Sequence, residues 1–399
     1  MFNISDTAHQ ITENKALGIL IKKPSNIFYT TNFSGEGYVY FTAKGDIILY
    51  ADGRYWERAY KECFDNVKII KIKRIYKDIA ADILKRNILE GETGTKYNLT
   101  KTAFRSAAAD AAVSSTVPFT GSISDALPAV MFESDYITYD EYVSFKKEFK
   151  AKINLIASAG VTSKIRSIKD KSELNSLLEA VSIAEESMLD ALRILTEKNY
   201  FTESDLASVY KKNLIERRSR ESFETITLSD KNSSLPHGMP SDKAINKTGV
   251  LLCDFGAERD GYKSDETFTV HFGNPDGKFM DVYDTVYSAQ QKAISEIKPG
   301  VKFSRLDKIA RDYIDKRGYG KYFTHSLGHG VGLDIHEYPY VSKNNGDTVE
   351  EGMVFTVEPG VYIEGEFGVR IEDMCYVEKE GARVITGIKK NKCKIEDLS

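Results

Sequence analysis

The chain has 399 residues, of which 41% are hydrophobic and 29% charged, with a net charge of -4. That size suits two globular domains whose cores need no disulfide or metal to hold them. Basic residues are interleaved with acids, as in "FKKEFKAK", so no stripe is left for a nucleic acid, and no stretch approaches the ~20 apolar residues of a membrane helix. The four cysteines, Cys63, Cys253, Cys375 and Cys393, form no CxxC pair and read as reduced thiols. The apolar run near the N-terminus is too short for a signal peptide. The expectation is a soluble cytoplasmic protein with neither nucleic-acid nor membrane partners.

In chain order, "ALGILI", "NIFYTT", "GYVYFTA" and "GDIILYADGRYW" read as strands. "WERAYKEC" and "YKDIAADILKRNI" read as helices, which makes the region a mixed α/β domain. An Ala/Ser/Thr-rich stretch, 100–130, carries no assignable chemistry. Apolar residues spaced i, i+3, i+4, i+7 predict a helix over 172–195 with Ser172 as N-cap. Thr202 and Asp205 form a capping box for the next helix, to about Arg217. The change in character near Ile165 places the boundary between domains 1–160 and 161–399. Beyond it lie the strand-like runs "VLLCDFG", "TFTVHFG", "MVFTVEPGVYI" and "VRIEDMCYV", with helices around 281–297 and 305–316.

A carboxylate within an apolar strand is costly to bury unless a charge meets it. Asp254 and Asp265 flank the turn-prone "ERDGY". A hairpin centred between residues 259 and 260 makes them direct cross-strand neighbours, with Cβ atoms roughly 5 Å apart. Glu358 and Glu372 flank "VYIEGEFG" about a centre at Gly365, and Arg370 shares the face of Glu372. Any one of these acids alone reads equally well as a solvent-facing residue of an edge strand. Two symmetric pairs make coincidence a poor account, because "THSLGHGVGLDIHEYP" also holds three of the six histidines, His325, His329 and His336. Four carboxylates and one imidazole suit two divalent cations.

The motifs "PHGMPSDK", "DFGAERDGYKSDET", "HSLGHGVGLDIHE", "VEPGVYI" and "GVRIED" stand in the order found in the pita-bread metallopeptidases. The chain resembles the Xaa-Pro peptidases among them, aminopeptidase P and prolidase. The resemblance covers most of the chain, including "SNIFYTTNFSGEGYVYFTAKGDIILYADGRYWERA" and "KIRSIKDKSELNSLLEA". It implies an α/β (α+β) fold. A smaller N-terminal creatinase-type domain would shape the substrate end and a homodimer contact, and the C-terminal pita-bread domain would carry catalysis.

Carried over by position, the resemblance implies a dinuclear centre held by Asp254, Asp265, His329, Glu358 and Glu372. Mn is the first choice of metal, with Co, Zn or Fe as alternatives. His237, His325 and His336 would position substrate, stabilise the tetrahedral intermediate and help protonate the leaving nitrogen. Glu358 would also accept the proton of a bridging water, and Arg370 would support the network. The implied activity is that of an Xaa-Pro aminopeptidase, in which a bridging hydroxide cleaves the bond before a proline in second position. A prolidase (Xaa-Pro dipeptidase) is the alternative. A metal-free creatinase-like amidinohydrolase and a non-catalytic binding module are disfavoured by the five filled ligand positions. A methionine aminopeptidase is disfavoured by the sizeable N-terminal domain.

Three departures from the family pattern bear on substrate choice or fold. Phe268 replaces the arginine of "DxTR", Asn32 replaces the glycine of "TGFSG", and the 100–130 stretch reads as extra sequence. Outside the motifs, His271 reads as structural or exposed and His9 as chemically idle. On spacing alone His237 is a turn residue, and Cys253, next to Asp254, is core filler facing away from it.

Overall fold

Runs of β-branched and aromatic residues in the N-terminal part build one six-stranded sheet. A computed structural model describes residues 4–92 and 127–398, and the chain divides after Val161 into two units. In the first, the strand order is Val67–Lys71, Ile47–Ala51, Tyr38–Thr42, Ala16–Ile21, Ala129–Glu133, Asn154–Ser158. The pairs at the middle of the sheet are antiparallel, and those towards both edges are parallel. Leu20, Tyr40, Ile48 and Tyr50 from the sheet pack against Ile79, Ile83, Phe145 and Phe149 from the helices Ile75–Glu92 and Tyr139–Phe149.

"NIFYTT" is a helix rather than the expected strand: Pro24–Thr31 opens with proline in its first turn. Proline's fixed φ is preset for that position, and local chemistry overrides the β-branched composition. Thr30 and Thr31 turn their hydroxyls onto the carbonyls of Asn26 and Ile27, four residues back. Asn32 ends the helix in the left-handed region, at φ 63. That conformation accounts for an asparagine where the "TGFSG" pattern has glycine, since these two residues tolerate it best. The Ala/Ser/Thr-rich stretch lies outside the described residues up to 126, and Ala129 and Val130 at its end begin a central strand.

In the second unit, the long amphipathic helix runs Lys171–Glu197. Its N-cap is Asp170 instead of Ser172, because Asp170 and Glu173 form a complete capping box two residues earlier. The next helix, Glu203–Glu216, is capped by Thr202 and Asp205 as expected. These two helices cover a three-stranded sheet ordered Glu266–His271, Val250–Phe255, Ile226–Ser229. The helices Gly277–Ile294 and Phe303–Lys316 pack with a five-stranded sheet that contains Gly328–Gly330 and Val354–Val357.

Two strand details set up the site. The hairpin after Asp254 turns at Asp260 and Gly261, both with positive φ (50 and 85), as a two-residue Asp-Gly turn requires. Glu258 therefore pairs with Lys263, and further down Asp254 faces Thr267. The expected pairing of Asp254 directly with Asp265 is thus corrected by two residues. The two acids still share a face, as diagonal neighbours. The second hairpin is centred on Gly365 as expected, with Gly360 opposite Arg370. Each of its apolar runs is broken into two strands, however, and Glu358 and Glu372 sit in the breaks. No helix among the described residues is long and apolar enough to cross a membrane.

Candidate metal centre

One cavity of about 320 Å³ in the second unit is lined by Asp254, Asp265, His329, Glu358 and Glu372, and also by His237, His325, His336 and Arg370. All nine residues singled out from the sequence are therefore brought together. Asp265, His329 and Glu372 each place a ligand atom within 4.8 Å of the other two. His329 Nε2 lies 3.5 Å from Asp265 Oδ2 and 3.3 Å from Glu358 Oε1.

The local fold fixes each of these groups. His329 sits on a short strand between two glycines, and a Cβ on Gly328 would collide with the carbonyl oxygen of Thr356, one on Gly330 with that of Tyr338. The glycines thus serve the approach of neighbouring strands. His329 Nδ1 is 3.2 Å from the carbonyl oxygen of Gly330, a contact that a protonated Nδ1 donates, leaving the Nε2 lone pair facing the carboxylates. Thr356 Oγ1 accepts from the His329 amide (3.1 Å) and donates to Glu358 Oε1 (3.2 Å). The Glu358 amide is held by the carbonyl of Leu327 and the Glu372 amide by that of Thr267. Thr267 also donates its hydroxyl to Glu372 Oε2 at 2.6 Å.

Arg370 organises the other side. It is buried and donates to Asp254 Oδ2 (2.6 Å), Thr267 Oγ1 (3.1 Å) and the Tyr362 hydroxyl (2.8 Å). Tyr362 in turn lies 3.0 Å from His325 Nε2, and His325 Nδ1 lies 2.8 Å from the carbonyl oxygen of Ser326. One assignment satisfies every group: Arg370 donates to Tyr362, Tyr362 to His325 Nε2, and His325 Nδ1–H to Ser326. His336 packs edge-on against His329, with ring centroids 4.3 Å apart, and His237 stands exposed at the cavity wall.

The electrostatics call for positive charge. Burial, then repulsion from Glu372, Asp254 and Glu358, pushes the Asp265 carboxyl well above the usual range. Glu372 is raised well above it by burial and by Glu358 and Asp254. Glu358 rises to about 8 through burial and Asp254, although Arg370 opposes the shift. Burial lowers His329 and His325 to about 4 each, so both are neutral near pH 7. Asp254 offers one oxygen to Arg370, while its Oδ1 is buried with no hydrogen-bond partner. Four acidic groups against one guanidinium, an orphaned carboxylate oxygen and a neutral imidazole with its lone pair turned inward are a donor set that fits divalent cations.

The sequence reading missed Tyr362, Thr267 and Thr356, which tie the charged groups together. Thr267 follows Asp265 by two residues and so shares its face, a signal that strand alternation offers. Tyr362 carries no comparable signal, being one tyrosine among 23. Phe268 faces the opposite way, 1% exposed against Phe255 in the apolar layer under the helices, and lines no part of the cavity. Cys253 lies in the same layer, and His271 is buried against Phe279.

The tight strand approach at Gly328 has a measurable consequence. Gly328→Ala forces apart the strands bearing His329 and Thr356, and displacement of a reacting group by about 1 Å costs on the order of 100-fold. kcat/KM for the site's substrate is expected to fall by that order. In Gly346→Ala, where an added Cβ meets nothing within 4 Å, it should not change.

The second unit matches the model of metallopeptidase family M24 over residues 175–379, and the first matches the creatinase/prolidase N-terminal domain over residues 4–168. An Xaa-Pro dipeptidase of Pyrococcus furiosus is 33% identical over 382 residues, covering 94% of each chain. Among solved structures, an Xaa-Pro dipeptidase from Bacillus anthracis superposes with a TM-score of 0.83 at 30% identity, covering 98% of this chain and 99% of that one. The prolidase from Pyrococcus horikoshii superposes with a TM-score of 0.80 at 28% identity, covering 97% and 99%.

Proposed function

We propose that this chain, which belongs to metallopeptidase family M24, is an Xaa-Pro dipeptidase. Membership makes it a metal-dependent hydrolase. The relatives named above move the finer reading from the aminopeptidase expected first to the dipeptidase held as its alternative. The observation that carries the catalytic part is the convergence of Asp265, His329 and Glu372 within 4.8 Å, with Glu358 and Asp254 on the same cavity.

Asp254, Asp265, His329, Glu358 and Glu372 would hold two divalent cations, with Mn preferred for a carboxylate-rich set. Such ions supply Lewis acidity for the scissile carbonyl and lower the pKa of bound water towards about 7. The remaining work falls to side chains. Glu358 Oε1 is suited to take up a proton, with Thr356 fixing its orientation. Arg370 holds Asp254 and Tyr362 in place, and Tyr362 holds His325. The nitrogen leaving from an Xaa-Pro bond carries no hydrogen and must gain a proton. His237 and His336 line the cavity and are the candidate donors. Phe223, Ile226 and Ile335 offer an apolar wall for a pyrrolidine ring. The N-terminal unit is assigned to the substrate end and to a homodimer contact, which sedimentation of the whole chain would test.

The deciding assay compares Ala-Pro with Ala-Pro-Ala after chelation and Mn(II) addition. The expected result is hydrolysis of Ala-Pro with little or none of the tripeptide. Preference for the tripeptide would return the reading to the aminopeptidase. No hydrolysis of either, with Mn(II) bound and the fold intact, would sink the peptidase claim.

A further inference from the structure

Behind the cavity lies a second buried cluster that hydrolysis does not touch. Strand alternation turns the residue after each ligand away from the site, so Glu266 follows Asp265 and Asp373 follows Glu372 on the far face. Both are acids, 2% and 6% exposed, and left alone they would repel one another across the same two strands that carry the ligands. Lys390, from the C-terminal segment and 5% exposed, reaches between them. Its Nζ pairs with Glu266 Oε1, with Asp373 Oδ1 at 2.6 Å and with the carbonyl oxygen of Ile388 at 3.2 Å.

A neutral partner completes the layer. Gln290, with no exposed surface, donates its amide to Asp373 Oδ2 at 2.8 Å. The same nitrogen lies 3.2 Å from the carbonyl oxygen of Val357 and 3.4 Å from that of Ile371, the residues just before Glu358 and Glu372. Thr386, also from the C-terminal segment, donates to Asp373 Oδ1 at 2.6 Å. Lys390 and Gln290 together therefore hold the immediate neighbours of Asp265, Glu358 and Glu372, and touch none of the three.

We propose that Lys390 is a positioning residue, which with Gln290 sets the separation of the Asp265 and Glu372 carboxylates and hence the site's affinity for its cation pair. The inference rests on the reading that these carboxylates hold divalent cations. Its physical basis is that a single ammonium between two buried carboxylates fixes the spacing of the strands bearing them. Groups that orient ligands from behind typically change metal affinity by about 10- to 100-fold when removed.

The test is calorimetric titration of Mn(II) into the chelated full-length chain, with Co(II) absorption as a second readout of ligand geometry. Wild type is expected to bind two ions. Lys390→Met should weaken binding by about 10- to 100-fold and alter the Co(II) spectrum. In Glu266→Gln/Lys390→Met one of the two facing carboxylates loses its charge together with the ammonium, so the repulsion that Lys390→Met exposes is removed and part of the affinity should return. Gln290→Leu removes no charge and is read in parallel, so the inference stays testable if Lys390→Met fails to fold. An affinity at least tenfold weaker is expected for it too. Wild-type affinity and spectrum in either single variant, with wild type itself binding two ions, would overturn the positioning role alone. A wild-type chain that takes up no Mn(II) would overturn the metal reading and this inference with it.

Discussion

Asp265→Ala is expected to abolish full metal loading and to lower Ala-Pro hydrolysis by about 10³-fold or more. The metal-free variant should nevertheless be more stable than metal-free wild type. Asp265 supplies one of the three ligand atoms that lie within 4.8 Å of each other. Without it the remaining set loses both an oxygen and a negative charge. Lewis-acid stabilisation of several kcal/mol is then forfeited, at about 1.4 kcal/mol per tenfold in rate. The stability effect has the opposite sign because burial, Glu372, Asp254 and Glu358 raise the folded-state carboxyl well above its usual range. A carboxyl raised on folding leaves stability intact below its unfolded pKa of about 3.9 and erodes it as pH climbs towards the folded value. Near pH 7 in chelator, removing Asp265 relieves that penalty. The midpoint of thermal unfolding should rise by about 2–4 °C for each kcal/mol relieved. With Mn(II) the order should reverse, because wild type gains binding energy that the variant cannot. Full loading of Asp265→Ala by elemental analysis would refute its place among the ligands, and a lower melting point in chelator would refute the electrostatic account.

The histidine and carboxylate cluster was legible in the sequence because its constraints are local and of low ambiguity. A buried acid in an apolar run demands a partner, and four such acids beside "GHG" demand a cation. The second hairpin's register followed from its symmetry about Gly365, whereas the first was misplaced by two residues. "ERDGY" contains an Asp-Gly pair whose two-residue turn sets the centre between residues 260 and 261, one position further on than the expected centre between 259 and 260. Aromatic and β-branched residues dominate Pro24–Thr31 and favour a strand, but a proline in the first turn together with Asn32 as the cap outweighs them and makes it a helix. The strand breaks at Glu358 and Glu372 had no periodic signature, since they arise where the chain passes from one sheet to another. Lys390 and Gln290 were invisible for a related reason. One lysine of the run "KKNKCK" and a glutamine within a helix look solvated until the tertiary fold puts them behind the site.

The segment carrying His336 depends on a different buried charge cluster, and Glu337→Gln should lower stability by about 3–5 kcal/mol at neutral pH, the usual cost of breaking a buried pair. Glu337, 3% exposed, pairs with Arg166 through one oxygen and with Lys169 Nζ at 2.8 Å through the other. Arg166, itself 2% exposed, also reaches Asp334 at 3.0 Å. A Cβ on Gly332 would strike the Glu337 carboxylate, so the loop between His329 and His336 is moulded around this one acid. Glutamine leaves Arg166 and Lys169 buried without the carboxylate that both of them contact. Burial on its own would raise the Glu337 carboxyl, but Arg166 and Lys169 outweigh it and hold the group below its ordinary value. A carboxyl lowered on folding contributes stability above its unfolded pKa of about 4.3 and loses it as pH falls through the lower folded value. The gap between wild type and Glu337→Gln should therefore be full at pH 7 and shrink below about pH 4. Urea unfolding of both proteins in chelator, at pH 7 and again near pH 3.5, measures it without interference from metal loss. Because His336 lines the cavity one residue away, the variant should also show a higher KM for Ala-Pro at temperatures where it remains folded. Coincident unfolding curves at pH 7 would mean that the four-charge cluster contributes nothing net. A stability loss with KM unchanged would separate the cluster's structural role from the placement of His336.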